Sequence, residues 1–195
     1  MAQTSTSILS DKDHIEDKSG TIISFTKTGT EYRIISSDTA TVSFGTYSQY
    51  DLITVTGASN STNNSTFTVK SVSASNDFII VEEEVANESA GSSITLDNIG
   101  FVSAKFKGDG YYSQPDGVHT VSYKVNATLT GSIKMQGTLA TTPTEDDWFD
   151  IAGTTFTTDQ STTISSANFT GNFVWVRAKA TGVTAGTITE ILLNK

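Results

Sequence analysis

The sequence predicts an all-β fold: two small antiparallel β domains, a barrel or sandwich followed by a jelly-roll-like β-sandwich, behind a short N-terminal arm. Three observations carry this. The 195 residues include 33 Thr and 25 Ser. Thr has a stiff branched Cβ that suits a pleated surface, and Ser suits turns and caps. Apolar and polar residues alternate along much of the chain, as in half-buried strands. Fifteen Gly against two Pro fit many tight turns within sheets and argue against a helical bundle.

Residues 1–20 are polar and charged without a sustained period, and Ile8, Leu9 and Ile15 are their only large aliphatics after Met1. They predict a mobile arm, or a segment that orders against a neighbouring subunit. Residues 21–98 form the first domain. TIISFTKTG and TEYRIISS are two strands broken at Gly29, and TATVSFG leads into YDLITVTGA. STNNSTFTVKSVSASNDFIIVEEEV follows, with Phe67, Val69 and Val72 in alternation before the run Phe78 to Val81. NNS and SND supply turns, because Asn and Asp tolerate left-handed backbone. Glu82, Glu83 and Glu84 are expected as a solvated strand end. SSITLDNI closes the domain, with the boundary near Asp97–Gly100. Short strands with turn signals every 8–12 residues suit a small barrel or sandwich.

In residues 99–195 the alternation is cleaner. Val121, Tyr123, Val125, Ala127 and Leu129 take odd positions, and Ile133, Met135 and Leu139 keep that parity beyond Gly131. A three-residue hairpin loop, Thr130-Gly131-Ser132, would pair Leu129 with Ile133 on one face; one long bent strand is the rival. WFDIAGTTFTT predicts a strand pair. NFVWVRAKATG predicts a two-faced strand, with Val174, Val176 and Ala178 on one side and Phe173, Trp175, Arg177 and Lys179 on the other. TAGTITEILLNK predicts a closing strand tied into the sheet.

Composition narrows the function classes. The net charge is −9, with 13 acids and 5 bases in residues 1–98 against 8 acids and 7 bases in residues 99–195. Nucleic-acid binding needs a basic footprint, which the sequence lacks. Without Cys there is no disulfide or thiolate metal site. No apolar run suits a membrane helix, and residues 1–20 lack the basic start and apolar core of a signal peptide. The N-x-S/T triplets starting at Asn60, Asn63, Asn64, Asn87, Asn126 and Asn168 are expected by chance in a Ser/Thr-rich chain.

The densest chemistry is GSIKMQGTLATTPTEDDWFDI, with Glu145, Asp146, Asp147, Trp148 and Asp150. Glycoside hydrolysis needs two carboxyl groups at a set distance with separated pKa values, which adjacent loop acids do not specify. Calcium loops carry a spacing that is missing here. These acids are expected as a solvated polar loop in which Pro143 fixes a turn. His14 and His119 are the only histidines, and His119 is expected as a strand-edge residue after the turn QPDG. KFKGDGYYSQPDGVH offers a different chemistry. Asp109, Tyr111, Tyr112 and Asp116 have the aromatic-plus-acid composition of a sugar contact, or else cover a core end or subunit contact. No catalytic residue, metal ligand or cofactor site is predicted, and the chain is expected not to be an enzyme.

Two segments carry a resemblance. YDLITVTG, TFTVKSV, VEE and AGSSITL (Asp51 to Gly57, Thr66 to Val72, Val81 to Glu83, Ala90 to Leu96) resemble a small β module of tailed-bacteriophage structural proteins. GSIKMQGTLATTPTEDDWFDI with GNFVWVRAKATGVTAGTITEILLNK resembles a phage β-sandwich module; marine cyanophage virion proteins look most similar. The resemblance implies a virion component assembled in the host cytoplasm: a capsid decoration protein, a head or neck fibre, or a tail accessory. Implied partners are other copies, as trimer or dimer, and major capsid or tail proteins. By match, core and subunit packing falls to Trp148, Phe149, Trp175 and Arg177. The alternative is a carbohydrate- or host-receptor-binding module that meets host surface glycans.

Overall fold

The computed structural model describes residues 5–109, 117–158 and 162–194. The fold is all-β, and it divides into two compact units. The chain opens with β1 (Ser5–Asp13) in one unit, builds the other from residues 15–100, and returns to the first from Phe101 onward. Within the stretch expected as an arm, Ser5–Asp13 are thus a strand, and Lys18–Gly20 form a short strand of the other unit. Ile8 and Leu9 are buried and β1 pairs along the chain's last strand.

The continuous unit contains β2 (Lys18–Gly20), β3 (Ile23–Thr28), β4 (Glu31–Ser36), β5 (Asp51–Thr56), β6 (Thr66–Val72) and β7 (Phe78–Val81). It also holds β8 (Ile94–Val102) as far as Gly100. The strands run in the order β8-β5-β6-β7-β4-β3, with β2 on β8. Only Thr21 and Ile22 separate β2 from β3, so the two ends of the sheet are consecutive in sequence and the sheet curls into a barrel. Its interior is one cluster that includes Ile23, Phe25, Ile34, Phe44, Ile53, Phe67, Val69, Ile79, Ile94 and Leu96. The stretch TATVSFG that leads into β5 contains turns and a bend rather than a strand, and Val42 and Phe44 enter the core from it.

Asn side chains lock this barrel's loops. Asn63 is fully buried. Its amide donates to Ala86 O (3.0 Å) and to Glu88 (2.9 Å), and its Oδ1 accepts from Ala86 N (2.9 Å). Asn64 makes a similar pair with the backbone of Ala58. These amides imitate a strand neighbour where the ladder stops, satisfying backbone groups that burial would otherwise strand. The three acids after β7 also have partners. Glu83 accepts from Thr68 N and Oγ1 (2.6 and 2.8 Å), Glu84 pairs with Lys27, and Glu82 lies 3.7 Å from Lys70. The strand end is solvated at Glu82 and Glu84 as expected, and its acids also make cross-strand ties.

The discontinuous unit is a sandwich. Its first sheet runs β1-β16-β10-β14, where β10 is Val118–Val125, β14 Ile164–Thr170 and β16 Thr187–Asn194. Its second is built on β11 (Thr130–Thr138) and β15 (Trp175–Ala185), with the short β12 (Phe149–Asp150) and β13 (Phe156–Thr157) on β11 and β9 (Phe106–Lys107) on β15. The expected strand pair at WFDIAGTTFTT is therefore two two-residue strands along one edge. Val121, Tyr123, Ile188 and Ile191 from the first sheet meet Ile133, Met135, Val176 and Ala178 from the second in one core.

The predicted hairpin at Thr130-Gly131-Ser132 does not form. β10 and β11 lie in different sheets, and the chain crosses between them through a turn closed by Leu129 N to Asn126 O (3.2 Å). The parity that suggested a shared strand face survives because both sheets turn their inner faces to the same core. Phe173, expected beside Trp175, is buried in that core as well.

Candidate functional site

The acid-rich loop and the outer face of β11–β15 form a densely bonded polar cluster in the sandwich unit. Alternation along β15 sends Val176, Ala178 and Ala180 inward and sends Trp175, Arg177 and Lys179 to the outer face. On the neighbouring β11, Lys134, Gln136 and Thr138 stand opposite Lys179, Arg177 and Trp175. Residues 145–147 make one turn of 3-10 helix that folds over this face. Asp147 anchors the turn by accepting from Thr144 N (2.7 Å) and Thr144 Oγ1 (2.8 Å).

Arg177 is the hub. Although it lies on the outer face it is only 5% exposed. Its two terminal nitrogens donate to both oxygens of Glu145 (2.6 and 2.8 Å), and Nε donates to Gln136 Oε1 (2.9 Å). The guanidinium lies 4.2 Å from the centre of the Trp148 ring. A planar fork meets a carboxylate in this bidentate way and stacks on an aromatic face, which an ammonium cannot do. Gln136 passes the network on, donating from Nε2 to Asp150 (2.9 Å), and Lys134 pairs with the other oxygen of Asp150. Trp175 donates from its indole to Thr141 O (3.0 Å), and Lys105 lies 4.8 Å from its ring centre. Each indole thus has a cation over a face.

The electrostatics follow from this bonding. Arg177 hydrogen bonding holds Glu145 below the usual carboxylate range against the opposing effect of burial. Hydrogen bonds from Lys134 and Gln136 lower Asp150, and those from Thr144 lower Asp147. Lys179 is lowered, first by burial and then by Arg177. These three acids are therefore ionised near neutral pH. A glycosidase pair needs one carboxyl raised so that it can donate a proton, and here the shifts run the other way. The loop expected to be solvated is exposed at Glu145, Asp146 and Asp147, and Glu145 is in addition tied to the sheet through Arg177.

The four residues matched to packing roles have different fates. Arg177 is buried, Trp148 and Trp175 are half-buried, and Phe149 is 45% exposed. None of them is in the sandwich core. Phe149 instead lines an open cleft of about 390 Å³ with Asp150, Ile151, Asn168, Phe169, Thr170 and Phe173. Of the proposed sugar contacts, Asp109 is buried, and Tyr111, Tyr112 and Asp116 lie outside the described residues. His119, expected at a strand edge, is fully buried and stacks on Phe169 with ring centres 4.9 Å apart. Sequence reasoning missed Gln136 and Lys134, whose only signal was their even position on a strand with an odd-position core. Among the described residues no group of three or more His, Cys, Asp or Glu could hold a metal ion, and no helix is long and apolar enough to cross a membrane. No family model matches the chain, and none of the curated proteins matches it either.

Proposed function

We propose that this chain is a non-enzymatic structural component of a tailed-phage particle, which self-associates and docks on capsid or tail. The observation that carries the reading is the Arg177 network. The segment resembling a virion β-sandwich module uses its acids and tryptophans to pin a loop onto a sheet, which stiffens a surface for contact. Assembly parts need rigid faces, because ordering a loop on binding subtracts from affinity. The acidic barrel unit would repel its like on neighbouring copies or meet a basic lattice surface. The test is mass spectrometry of gradient-purified particles of the phage that encodes the chain. The chain is expected at a fixed copy number per particle; its presence only among free lysate proteins would overturn the proposal.

A second reading, binding of host glycans, is favoured by the cleft beside β12. There the exposed Phe149 ring stands next to Asp150 and Asn168, the pairing of ring face and hydrogen-bonding groups that pyranoses use. Both indole rings already carry a cation on one face, so the site would rest on Phe149. A glycan array should then show binding that Phe149→Ala abolishes, and a flat array would remove this reading.

A further inference from the structure

We infer that β14 is a self-pairing edge, through which two copies of this chain join their first sandwich sheets into one continuous antiparallel sheet. The inference deepens the self-association in the reading above and rests on it in that respect.

Every sheet edge offers a row of unpaired backbone N–H and C=O groups, and natural proteins blunt such edges with charge, bulges or brevity. Among the described residues the other edge strands of the sandwich unit, the two-residue β13 included, are blunted. β1 carries Asp11, Lys12 and Asp13 and has a bulge between Ser7 and Leu9, while β12 and β9 are two residues long. β14 has none of these devices. Its sequence, ISSANFT, has no charge and no Pro, and it pairs with β10 over seven residues without a register shift. Among the described residues no strand covers its other side.

The outward groups can be named. Val125 N donates to Thr163 O (2.9 Å) and Gly171 N to Gly117 O (2.9 Å). In an antiparallel ladder bonded pairs alternate with non-bonded ones. Residues 165, 167 and 169 therefore bond to β10, and Ile164, Ser166, Asn168 and Thr170 turn their backbone groups outward. A second β14 running antiparallel about a two-fold axis at Ala167 sets Ile164 opposite Thr170 of the other copy and Ser166 opposite its Asn168. All four outward residues are then used, with about eight new hydrogen bonds at two per bonded pair. A two-fold contact of this kind is self-complementary, and an uncharged strand lets two chains of net charge −9 meet without apposing like charges.

The same register accounts for two exposed aliphatics. Val118 is 52% and Ile164 62% exposed, and Val118 stands opposite Thr170. In the joined sheet Val118, Thr170 and the other copy's Ile164 fall in one row on the outer face, so both aliphatics pack beside the same Thr.

The test is light scattering on the full-length chain and two variants. Ser166→Pro removes one outward N–H and leaves the β10 ladder intact, since Pro is tolerated where the N–H faces solvent. Ile164→Lys places a charge at an exposed position and keeps the backbone unchanged. The wild type should weigh twice the 20.7 kDa chain, and both variants, folded by circular dichroism, should dissociate about tenfold or more easily. A wild-type oligomer that Ile164→Lys and a folded Ser166→Pro leave intact would overturn the edge and spare self-association. A wild type that stays monomeric at high concentration would overturn both.

Discussion

At the scale of single residues, the Arg177–Glu145 pair makes the clearest prediction. Arg177→Ala removes two charge-assisted bonds to Glu145 and leaves Gln136 without its donor. Because Glu145 is partly solvated, the loss should be about 2 kcal/mol, between that of a surface pair and that of a buried charged hydrogen bond. The pH dependence has a definite sign. Glu145 is held below its ordinary value of 4.5 in the folded state, so its contribution is fully present above that value. It is lost as pH falls through the depressed folded value, where the carboxylate takes up a proton. Urea unfolding should therefore show wild type more stable than Glu145→Gln at pH 7, with the gap closing as pH drops below about 4.5. Both tryptophans lie in the sandwich unit, so indole fluorescence reports this unit alone. A gap that widened on acidification would contradict the assignment.

At the scale of elements, the two sheet crossings of the sandwich interlock. β15 and β16 lie in different sheets, and the chain passes between them at Gly186. The β10–β11 crossing runs against it: Asn126 N donates to Thr187 O (3.0 Å) and Thr187 N to Asn126 Oδ1 (3.0 Å). Gly186 has φ +86°, and a Cβ there would sit 2.4 Å from the Leu129 backbone. Gly186→Ala thus meets both a strained φ and a backbone clash. It should destabilise the unit by about 2–3 kcal/mol or more, seen as a lower urea midpoint by indole fluorescence. A change below about 0.5 kcal/mol, the size of ordinary surface substitutions, would show that the crossings are not coupled. Such crossings also mark what the sequence could disclose. Odd-position parity identified the buried face at Val121, Tyr123, Val125, Leu129, Ile133 and Met135, because period two reports which side of a strand is covered. It failed at Ala127 and Leu139, which lie exposed where the strands have ended. Parity is also silent on which strand lies alongside, so β10 and β11 looked like one hairpin. β1 was hidden by its own irregularity. The bulge between Ser7 and Leu9 puts Ile8 and Leu9 inward together and erases the alternation that identifies a strand. The loop acids were visible as a cluster, yet nothing local pointed Glu145 at Arg177, which is 32 residues away.

At the scale of the whole molecule, connectivity assigns different dependencies to the two units. Residues 15–100 are continuous and have their own core, whereas the sandwich takes its first strand from the far side of that insertion. Removing residues 1–14 should therefore damage the unit that is distant in sequence and spare the adjacent one. The deletion withdraws Ile8 and Leu9 from the sandwich core; burying a side chain of that size contributes about 1.5–3 kcal/mol, so the two together account for roughly 3–6 kcal/mol. It also opens the edge of β16 to solvent. That sum is a large fraction of what holds a domain of this size folded, so the truncated chain should lose its indole-reported transition or show it at a much lower urea concentration. The barrel, which holds no Trp, should keep its own cooperative transition, and the fragment 15–100 expressed alone should show the same midpoint. A synthetic peptide of residues 1–14 added to the truncated chain should restore the indole transition by refilling the vacant edge, as an added strand does. If truncation left the indole midpoint unchanged, β1 would be dispensable and the sandwich would be complete from Phe101 onward. If the barrel transition fell as well, the two cores would not be thermodynamically separate.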